Sequence, residues 1–529
     1  MKDWWRGSVI YQIYPRSFQD SSGNGIGDIK GITSHLDYIS DLGVDAIWLS
    51  PIFESPMKDM GYDVSNYTDV DPLFGNLEDF DEMLESAHSL GIKVIIDQVL
   101  SHSSSKHPFF IESRSSKNND KSDWYVWADP KEDGSPPNNW LSIFGGVAWE
   151  WDTSRKQYYL HNFLKSQPDF NFHNPDVRKW ILSTTKFWLQ RGVDGFRLDT
   201  VNYYFHDLLL RDNPSQEPSL LSLTNPYYMQ NHKYSINQKE NLDFVRELRC
   251  LLDSYKDRTM VGEISNLELQ AEYTSKKDKL HMAYSFELLR KDFSPDHIRN
   301  CLENFFKLSE DGFPCWSFSN HDVVRHSSRW SDQAYSEDAF AKLTSSLLLS
   351  LKGSICLFQG EELGQLETDI KFHELTDPPG IKFWPKDKGR DGCRTPMVWD
   401  SNKTNGGFSD VKPWLPVKSP QLEKSVTSQK DNPESVLNHY KNLINFRKRS
   451  KEIIKGDIKF ISSDDKRLAF SRSYGGSTIF CFFNFSKEDV VYKEIIDMKD
   501  NFLFSSFATL KDNQLILGPN GFAFIKPLN

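Results

Sequence analysis

The sequence predicts an α/β protein: a (β/α)8, or TIM, barrel with a small subdomain inserted after strand three and an antiparallel β domain at the C-terminal end. Three observations lead to this fold class. Eight short apolar segments with strand character alternate with helical stretches, which is the rhythm of a parallel barrel. A long polar, Trp-rich segment interrupts the alternation once. Near residue 455 the alternation gives way to short strands without long helices.

The composition fits a globular enzyme and excludes several other classes of protein. The chain has 529 residues, 38% of them hydrophobic, and a net charge of −11, so nothing favours nucleic-acid binding. No apolar run approaches the roughly 18 residues of a membrane span, and the N-terminus lacks an apolar signal core. The six cysteines have no metal-site spacing and are interpreted as reduced thiols, so we expect a cytoplasmic protein.

The first three barrel units are marked by strands rich in β-branched and aromatic residues. These predicted strands are Val9–Tyr14, Ala46–Ser50 and Lys93–Val99. Helices are predicted over 29–42 and 77–90. Gly43 and Gly91 follow them directly, where a helix ends best on a left-handed residue.

The alternation stops between residues 103 and 167, a segment rich in Ser, Asn, Asp, Pro and Trp. It is too long for a plain loop, and we interpret it as an inserted, irregular β subdomain. Residues 1–102 and 168–450 are assigned to the barrel. A helix over 176–191 restores the pattern, and the five later strands are predicted at 195–199, 258–264, 281–286, 315–322 and 354–361.

Two further regions follow the eighth strand. Residues 367–410 are rich in Gly, Pro and Trp and are predicted to form a long loop or subdomain. After them, a helix over 433–450 is expected to close the barrel. Residues 451–529 are predicted to form a separate C-terminal β-sandwich.

Charged side chains fall at the C-terminal ends of the predicted strands, where barrel enzymes have their active sites. Arg197 and Asp199 point the same way on one strand and, taken alone, would fit a structural ion pair. Glu263 and Asp322 lie at the ends of two other strands, so three carboxylates are expected in one pocket. Two carboxylates flanking a bond are what glycoside hydrolysis requires.

Other residues near these ends leave more than one interpretation open. Five aromatic residues would stack on sugar faces, although each also fits a core: Tyr62, Phe144, Trp149, Phe163 and Tyr203. His102 and His321 could bind zinc, but no HxxxH or His-x-His pair supports a catalytic metal.

A loop after the first strand has the composition of a cation site. Asp20, Ser22, Asn24 and Asp28 carry oxygen-bearing side chains with glycines between them, as in loops that wrap a hard cation. The alternative is a plain turn before a helix that has Asp28 as its N-cap. The spacing leaves both interpretations open.

A series of short motifs in a fixed order extends over nearly the whole chain. They are Tyr11-Gln-Ile-Tyr-Pro-Arg-Ser-Phe18, Gly61-Tyr-Asp-Val64, Asp97-Gln-Val-Leu-Ser-His102, Gln167-Pro-Asp-Phe-Asn171, Gly195-Phe-Arg-Leu-Asp199, Gly262-Glu263, Ser319-Asn-His-Asp322, Gln359-Gly-Glu-Glu362 and Gly392-Cys-Arg-Thr-Pro-Met-Val-Trp399. Through these motifs the chain resembles the α-amylase-type glycoside hydrolases (glycoside hydrolase family 13), in particular the α-glucosidase and oligo-1,6-glucosidase branch.

The resemblance implies a role for each residue of the site. Asp199 would be the nucleophile, Glu263 the general acid and base, and Asp322 the carboxylate that stabilises the distorted sugar, with retention of configuration. The residues that would hold the nonreducing-end glucose are Asp59, Tyr62, His102, Phe163, Arg197, His321 and Arg394. We expect Arg197 to keep Asp199 ionised and the pKa of Glu263 to be raised.

In α-1,4-preferring members of this branch the residue after the nucleophile is Thr, as Thr200 is here, whereas Val is typical of α-1,6 preference. Alternatively, Thr200 only fills a strand position.

The predicted function is a retaining, exo-acting α-glucosidase that releases α-glucose from the nonreducing end of short α-glucosides, α-1,4-linked, with transglucosylation when acceptor is abundant. The alternatives are a sucrose hydrolase or isomerase, an oligo-1,6-glucosidase, and a non-catalytic amylase-like partner protein. That last class has a membrane helix and lacks the catalytic carboxylates.

The sequence departs from the family pattern at two places. Ser101 stands where the family has Asn, and the cation loop has one carboxylate fewer than the family's Asp-x-Asn-x-Asp. By resemblance, a structural Ca²⁺ or Mg²⁺ would be bound, more weakly than in the family, by Asp20, Ser22, Asn24, the Ile26 carbonyl and Asp28.

No organic cofactor is implied. The expected partner is a small oligosaccharide or disaccharide, without nucleic acid or membrane, and the expected assembly is a monomer or homodimer.

Overall fold

The computed structural model describes residues 3–219, 221–493, 501–512 and 514–527. Its main body is a barrel of eight parallel strands, each lying within a segment predicted as a strand. The barrel strands are Val9–Ile13, Ala46–Leu49, Lys93–Gln98, Gly195–Leu198, Thr259–Ile264, Met282–Ser285, Cys315–Trp316 and Ser354–Phe358. The predicted fold class is confirmed.

The barrel strands pair in sequence order, so their C-terminal ends form one rim. Ile10 of the first strand pairs with Ala46 of the second and with Cys356 of the eighth. A bridge between Ala283 and Pro314 joins the sixth strand to the seventh and closes the ring. The first two strands are buried along their whole length, as expected for strands covered by helices outside and by side chains inside.

Helices surround the barrel and fill the connections. They are Ile29–Thr33, Leu36–Leu42, Leu77–Ser89, Pro108–Ser115, Pro175–Arg191, Glu240–Asp253, Leu267–Thr274, Pro295–Leu308, His326–Arg329, Glu337–Ser350, Pro378–Phe383, Ser419–Leu422, Val426–Gln429, Val436–Arg449 and Lys451–Lys455. The helix predicted over 29–42 is divided in two at Ser34 and His35, next to the point where Thr33 and Ser34 donate their hydroxyls back to the carbonyls of the preceding turn. Gly43 and Gly91 have the predicted left-handed conformation, with φ of 91° and 77°.

The inserted segment contains a small antiparallel sheet of three strands: Trp127–Ala128, Trp149–Asp152 and Gln157–Leu160. Isolated bridges from His102 to Asp169 and from Tyr125 to Phe170 fasten its base to the barrel rim. A two-stranded sheet, Phe53–Glu54 and Asn66–Val70, stands beside it after the second barrel strand.

The C-terminal region is antiparallel, as predicted. Its strands are Asp457–Ser463, Arg467–Tyr474, Ser477–Asn484, Val490–Tyr492, Phe502–Lys511 and Gln514–Ile525. In the described residues these six strands are linked in one hydrogen-bonded sheet. Phe504 and Phe524 of this sheet stack on Phe446 of the helix Val436–Arg449, which joins the sheet to the barrel. Within the described ranges every helix is too short or too polar to serve as a membrane span.

Candidate active site

Four acidic side chains lie near the C-terminal ends of barrel strands. Asp97 belongs to the third strand and Glu263 to the fifth, Asp199 directly follows the fourth, and Asp322 lies in the loop after the seventh. Asp97, Asp199 and Glu263 are only 1%, 6% and 5% exposed. Burying carboxylates together is unfavourable unless a cation balances their charge.

Arg197, fully buried in the fourth strand, supplies that charge. Its Nη1 lies 2.8 Å from Oδ1 of Asp97 and 2.7 Å from Oδ1 of Asp199, and its Nη2 lies 2.7 Å from Oε2 of Glu263. Nη2 also donates to the hydroxyl of Tyr284 at 2.8 Å, and that hydroxyl donates to Oε1 of Glu263 at 3.2 Å. One guanidinium therefore orients both the predicted nucleophile and the predicted acid.

Thr200 follows the predicted nucleophile, Asp199, in a strained backbone conformation. Its φ of 39° and ψ of 50° are left-handed, which is rare for a β-branched residue and costs about 1–3 kcal/mol. The turn directs its N–H to Oε2 of Glu263 at 3.1 Å, while its hydroxyl donates to Oδ2 of Asp199 at 3.1 Å. Thr200 thus contacts both carboxylates, and it does not continue the strand.

The three carboxylates around Arg197 compete for one positive charge. Burial raises the pKa of Glu263 to about 7, against the opposing charge of Arg197, so the predicted rise is confirmed. Burial likewise raises the pKa of Asp199, and the negative charges of Asp97 and Asp322 add to this rise. We expected Arg197 to keep Asp199 ionised; its charge does lower the pKa of Asp199, but burial outweighs it. The cluster behaves as a coupled set that favours holding a proton near neutral pH.

Asp322 has the opposite electrostatic environment. Burial alone would raise its pKa, but nearby positive charge outweighs burial and holds the pKa below its ordinary value. Nη2 of Arg394 and Nη1 of Arg390 lie 3.0 and 3.2 Å from its Oδ1. Burial lowers the pKa of His321 well below its usual value, so the two arginines supply this charge. Asp322 stays ionised beside a neutral imidazole.

A second arginine of the site, Arg390, pairs with three acidic residues. Nη2 of Arg390 lies 2.8 Å from Oδ1 of Asp59 and 2.6 Å from Oδ1 of Asp377, in addition to its contact with Asp322. The Arg390 guanidinium also lies over the Phe144 ring, 5.1 Å from its centre. The loop after the eighth strand is thereby fixed against both the barrel and the inserted subdomain.

Neutral histidines and a tyrosine line the floor beside these ion pairs. The Tyr62 hydroxyl lies 2.6 Å from Nε2 of His321 and donates to Oδ2 of Asp97 at 3.1 Å. Burial lowers the pKa of His102 to about 4, so this ring is also neutral. Gln167 donates to Asp59 and lies 3.1 Å from the His102 ring. The floor thus offers fixed donors and acceptors, as hydroxyl recognition requires.

The predicted residues converge on one cavity of about 630 Å³. Its lining includes Asp59, Tyr62, His102, Phe163, Asp199, Thr200, Glu263, His321 and Asp322. Arg197 and Arg394 lie behind this surface and contact its carboxylates. Phe144 and Tyr203 line the cavity as predicted, but Trp149 does not. It is buried against Trp140 in the core of the inserted subdomain, so its prediction as a sugar-stacking residue is wrong.

The cation loop lies away from this cavity and uses its carboxylates internally. Oδ1 of Asp20 accepts the N–H groups of Ser22, Gly23 and Asn24, and its Oδ2 accepts the Ser409 hydroxyl. Asp28 caps the helix Ile29–Thr33, as the turn interpretation predicts. Among the described residues no group of three or more His, Cys, Asp or Glu side chains is arranged for a metal. The donor types still suit a hard cation, with only two carboxylates to attract it.

Several residues of the site were not assigned from the sequence. Tyr284 lies in a strand segment whose position was predicted, but nothing in that segment indicated that its hydroxyl reaches Glu263. Arg390 and Asp377 belong to the 367–410 loop, and only their proximity in sequence to Arg394 could have drawn attention to them. Asp97 begins one of the family motifs, and the resemblance assigned it no role. All four act through contacts made by residues distant in sequence.

The fold and this arrangement define a class of protein: a (β/α)8 enzyme whose paired carboxylates act on glycosidic bonds. The family follows from comparison with known proteins. The sequence model of the alpha-amylase family, which describes the alpha amylase catalytic domain, matches residues 12–456. The chain therefore belongs to this family, glycoside hydrolase family 13. The predicted family and enzyme class are confirmed.

Similar proteins extend over nearly the full chain. A probable alpha-glucosidase of Rhizobium meliloti (strain 1021) is 55% identical over 92% of this chain and 90% of the relative. An oligo-1,6-glucosidase of Heyndrickxia coagulans is 36% identical over 93% of this chain and 94% of the relative.

Solved structures agree with this family. The structure of an alpha-glucosyl transfer enzyme, XgtA, is 48% identical and superposes with a TM-score of 0.95, covering 100% of both chains. A mutant isomaltulose synthase from Erwinia rhapontici NX5, in complex with its natural substrate sucrose, is 31% identical with a TM-score of 0.90 and 99% coverage of each chain.

Proposed function

We propose that this protein is a retaining, exo-acting α-glucosidase that releases α-glucose from the nonreducing end of short, α-1,4-linked glucosides. The observation that carries the proposal is the ion-pair network of Arg390 in the cavity wall. Arg390, held by Asp59, Asp322 and Asp377, would close the inner end of the cavity beyond the glucose-binding floor. A chain end fits such a site, whereas the interior of a polysaccharide does not.

Asp199 and Glu263 share the chemistry. Asp199 attacks the anomeric carbon while Glu263 protonates the departing oxygen, which leaves a covalent glucosyl-enzyme. Glu263 then takes a proton from water, whose oxygen attacks the same carbon and releases Asp199. Because both carboxylates are bound by one guanidinium, the geometry favours the short separation of roughly 5–5.5 Å that retaining enzymes use.

Glucose recognition is assigned to the floor and the closed end. Asp59, His102, His321 and Asp322 would accept or donate hydrogen bonds to the hydroxyls of the glucose. Arg197 and Arg394 would hold the carboxylates in place, and Phe163 would cover one sugar face. Phe163 packs 4.9 Å from the His102 ring, which supports its position as a wall of the glucose pocket.

The linkage preference and the fate of the intermediate are finer points of the proposal. Thr200 favours α-1,4 over α-1,6 linkages. The alternatives are an oligo-1,6-glucosidase, as one relative is named, and a sucrose hydrolase or isomerase, since a related solved structure is an isomaltulose synthase holding sucrose. Transfer of glucose to a second sugar would compete with hydrolysis at the same intermediate.

Initial rates on maltose, isomaltose, sucrose and trehalose test this proposal, with NMR observation of the first glucose anomer released. We expect maltose or sucrose to be preferred and α-glucose to appear first. Preference for isomaltose would overturn the linkage assignment, and β-glucose appearing first would overturn retention. Absence of turnover on all four sugars would contradict the α-glucosidase assignment itself.

Two further proposals concern the cation and the compartment. Residues 20–28 would bind a structural Ca²⁺ or Mg²⁺ weakly, through Asp20, Ser22, Asn24, Ile26 and Asp28; an increase in Tm on adding either ion to chelator-treated protein tests this. An unchanged Tm with both ions would contradict it. All six cysteines are free thiols, which supports a cytoplasmic location. The proposed assembly is a monomer or homodimer.

A further inference from the structure

A second cavity, here called the lateral cavity, lies between the small two-stranded sheet and the helices Pro108–Ser115 and Pro175–Arg191. Its volume is about 720 Å³, against about 630 Å³ for the active-site cavity. Among the described residues the two cavities have no lining residue in common. The size is that of a small-molecule site, and the proposed reaction makes no use of it. The lining includes Glu54, Tyr67, Lys106, His107, Phe109 and Trp180.

Two short segments of chain separate the lateral cavity from the active site. Tyr62 and His102 line the active-site cavity, and Tyr67 and His107, five positions further along each segment, line the lateral cavity. The Tyr67 hydroxyl donates to the carbonyl of His102 at 2.6 Å, which holds the two segments together. A ligand in the lateral cavity would lie behind this partition, away from Asp199, so the cavity can bind a molecule without converting it.

The lateral cavity has an aromatic wall, formed by the partly exposed indole ring of Trp180. The rings of Tyr67, His107 and Phe109 meet this indole edge to face, with centres 5.3, 5.3 and 5.2 Å from its own. Such contacts favour one orientation of an aromatic ring. The indole therefore presents a fixed, flat, apolar surface, which suits a ligand ring that has C–H groups on one face.

Polar groups surround this aromatic wall, and several of them have no partner. Nδ1 of His107 accepts the N–H of Phe109 at 3.1 Å, and burial lowers the pKa of His107 to about 4, so the neutral ring carries its hydrogen on Nε2. Among the described residues, neither this N–H nor the indole N–H of Trp180 has an acceptor. Within the same part of the chain, Lys106 and Glu54 lack ion-pair partners at the exposed edge of the cavity.

This combination of groups favours one class of ligand. An apolar molecule would cover the free N–H groups without satisfying them, which is unfavourable. A phosphate or another anion would meet one cation, Lys106, but two carboxylates, those of Glu54 and Asp71. An uncharged molecule that is rich in hydroxyls and has an apolar face satisfies both the polar groups and the Trp180 ring. Carbohydrates have this chemistry.

We propose that the lateral cavity is a second sugar-binding site, separate from the active site, in which one ring of a short, uncharged gluco-oligosaccharide stacks on Trp180. His107 and Trp180 donate to its hydroxyls from the wall, and Lys106 and Glu54 bind them at the edge. The inference goes beyond the proposed function, which concerns the active-site cavity alone. It rests on that function only in the choice of glucose as the sugar.

Counting the bound sugars tests the inference. The Asp199→Asn variant, which should not convert the sugar, is dialysed to equilibrium against labelled maltotriose. The measurement is repeated with 1-deoxynojirimycin at a concentration that abolishes hydrolysis by the wild type, so that the active site is filled. We expect two molecules of maltotriose per chain without this inhibitor and one with it. No bound maltotriose in the presence of the inhibitor would overturn the inference.

Variants locate the second molecule in the lateral cavity. Added to Asp199→Asn, Trp180→Leu should weaken its binding about ten-fold or more because the stacking surface is lost, and Lys106→Ala should weaken it about three-fold. Trp151→Leu and Lys186→Ala are the matched controls, because both residues are exposed and neither lines the cavity. In the wild-type background, Trp180→Leu and Lys106→Ala should change kcat/KM on maltose by less than about two-fold.

The outcomes separate this inference from the proposed function. Unchanged binding in both Trp180→Leu and Lys106→Ala would refute the assignment to the lateral cavity. If Trp180→Leu does not fold, Lys106→Ala, at an exposed position, decides alone. If no α-glucoside releases glucose but maltotriose still binds through Trp180, the proposed function is wrong and the inference stands. If maltose is hydrolysed and no second molecule binds, only the inference is wrong.

Discussion

The two ends of the barrel each contain a fully buried arginine, and the two arginines have opposite kinds of partner. Arg197 at the C-terminal end faces the carboxylates of Asp97, Asp199 and Glu263. Arg447 at the N-terminal end donates to the backbone carbonyls of Gly7, Leu349, Leu351 and Gly353. Burial lowers the pKa of Arg447 to about 10, whereas at Arg197 the carboxylates outweigh burial and raise the pKa.

This difference distinguishes an arginine that stabilises the fold from an arginine that belongs to the active site. Carbonyl oxygens are fixed dipoles that do not titrate, so Arg447 joins the final barrel helix to the loops beneath the strands. Carboxylates titrate and can be attacked or protonated, so the surroundings of Arg197 can do catalytic work. Active sites at the C-terminal face and stability at the opposite face are the general pattern of this fold.

The largest effect should come from replacing Asp199, the proposed nucleophile. Asp199→Asn should lower kcat by about 10⁴-fold or more, because the covalent intermediate can no longer form. Burial raises the pKa of Asp199 to about 7, so the folded protein favours the protonated side chain. The stability of the fold that this protonation gives is complete below the unfolded pKa of Asp199 and is lost as the pH rises through 7. The variant should therefore gain stability over the wild type at pH 8 but not at pH 4. Kinetics and urea unfolding at both pH values measure this, with the exposed Asp243→Asn as control.

Glu263→Gln should lower kcat on maltose by about 10²- to 10⁴-fold, since the departing sugar needs a proton. A substrate with a good leaving group, such as 4-nitrophenyl α-glucoside, should lose much less in the first step. Single-turnover rates on the two substrates make this comparison. Equal losses on both would contradict the role of Glu263 as the acid.

At the other end of the barrel the effect should fall on stability. Arg447→Met should lower the free energy of unfolding by about 3 kcal/mol, because several buried carbonyls lose their donor. The kcat of the protein that remains folded should stay unchanged. Calorimetry together with active-site titration separates the two quantities, and the neighbouring Arg449→Met, at an exposed position, is the control. Loss of kcat without loss of stability would contradict the assignment of Arg447 to stability and of Arg197 to catalysis.

The smallest effect is expected from Tyr284→Phe. Its hydroxyl donates to Glu263 and favours the ionised form, so its removal should raise the pKa of Glu263 further. Since the protonated acid starts the reaction, the alkaline limb of kcat/KM should move to higher pH while kcat falls several-fold. A pH profile from 5 to 9 tests this, and a limb that stays in place would show that Tyr284 only fills space.

The eight strands could be predicted because each is a local run of apolar residues with a charged residue near its end, as at Asp97, Asp199 and Glu263. The motifs then assigned roles to individual positions. Local patterns could not predict that Asp199 is buried beside the charges of Asp97 and Asp322, and burial, together with these charges, is why its pKa is raised.

Other differences arise from backbone detail and from distant loops. Thr200 could be read as a strand residue, whereas its left-handed turn is stabilised by hydrogen bonds to Asp199 and Glu263. Arg390 reaches Asp59 across 331 positions of sequence, a contact for which no local pattern exists. At Trp149 the sequence suggested a contact that does not exist. Its aromatic ring was predicted to stack on a sugar, but it packs against Trp140 in the core of the inserted subdomain.

The ion pairs of Arg390 have a consequence for longer substrates. In the proposed exo-acting mode, with Arg390 closing the inner end, the freed glucose would lie deepest and would have to leave through the opening by which the rest of the chain departs. The shortened chain therefore dissociates before the glucose does, and it cannot slide inward for a second cut. On a maltooligosaccharide the enzyme should act distributively, so chains one unit shorter accumulate in solution before any single chain is degraded completely.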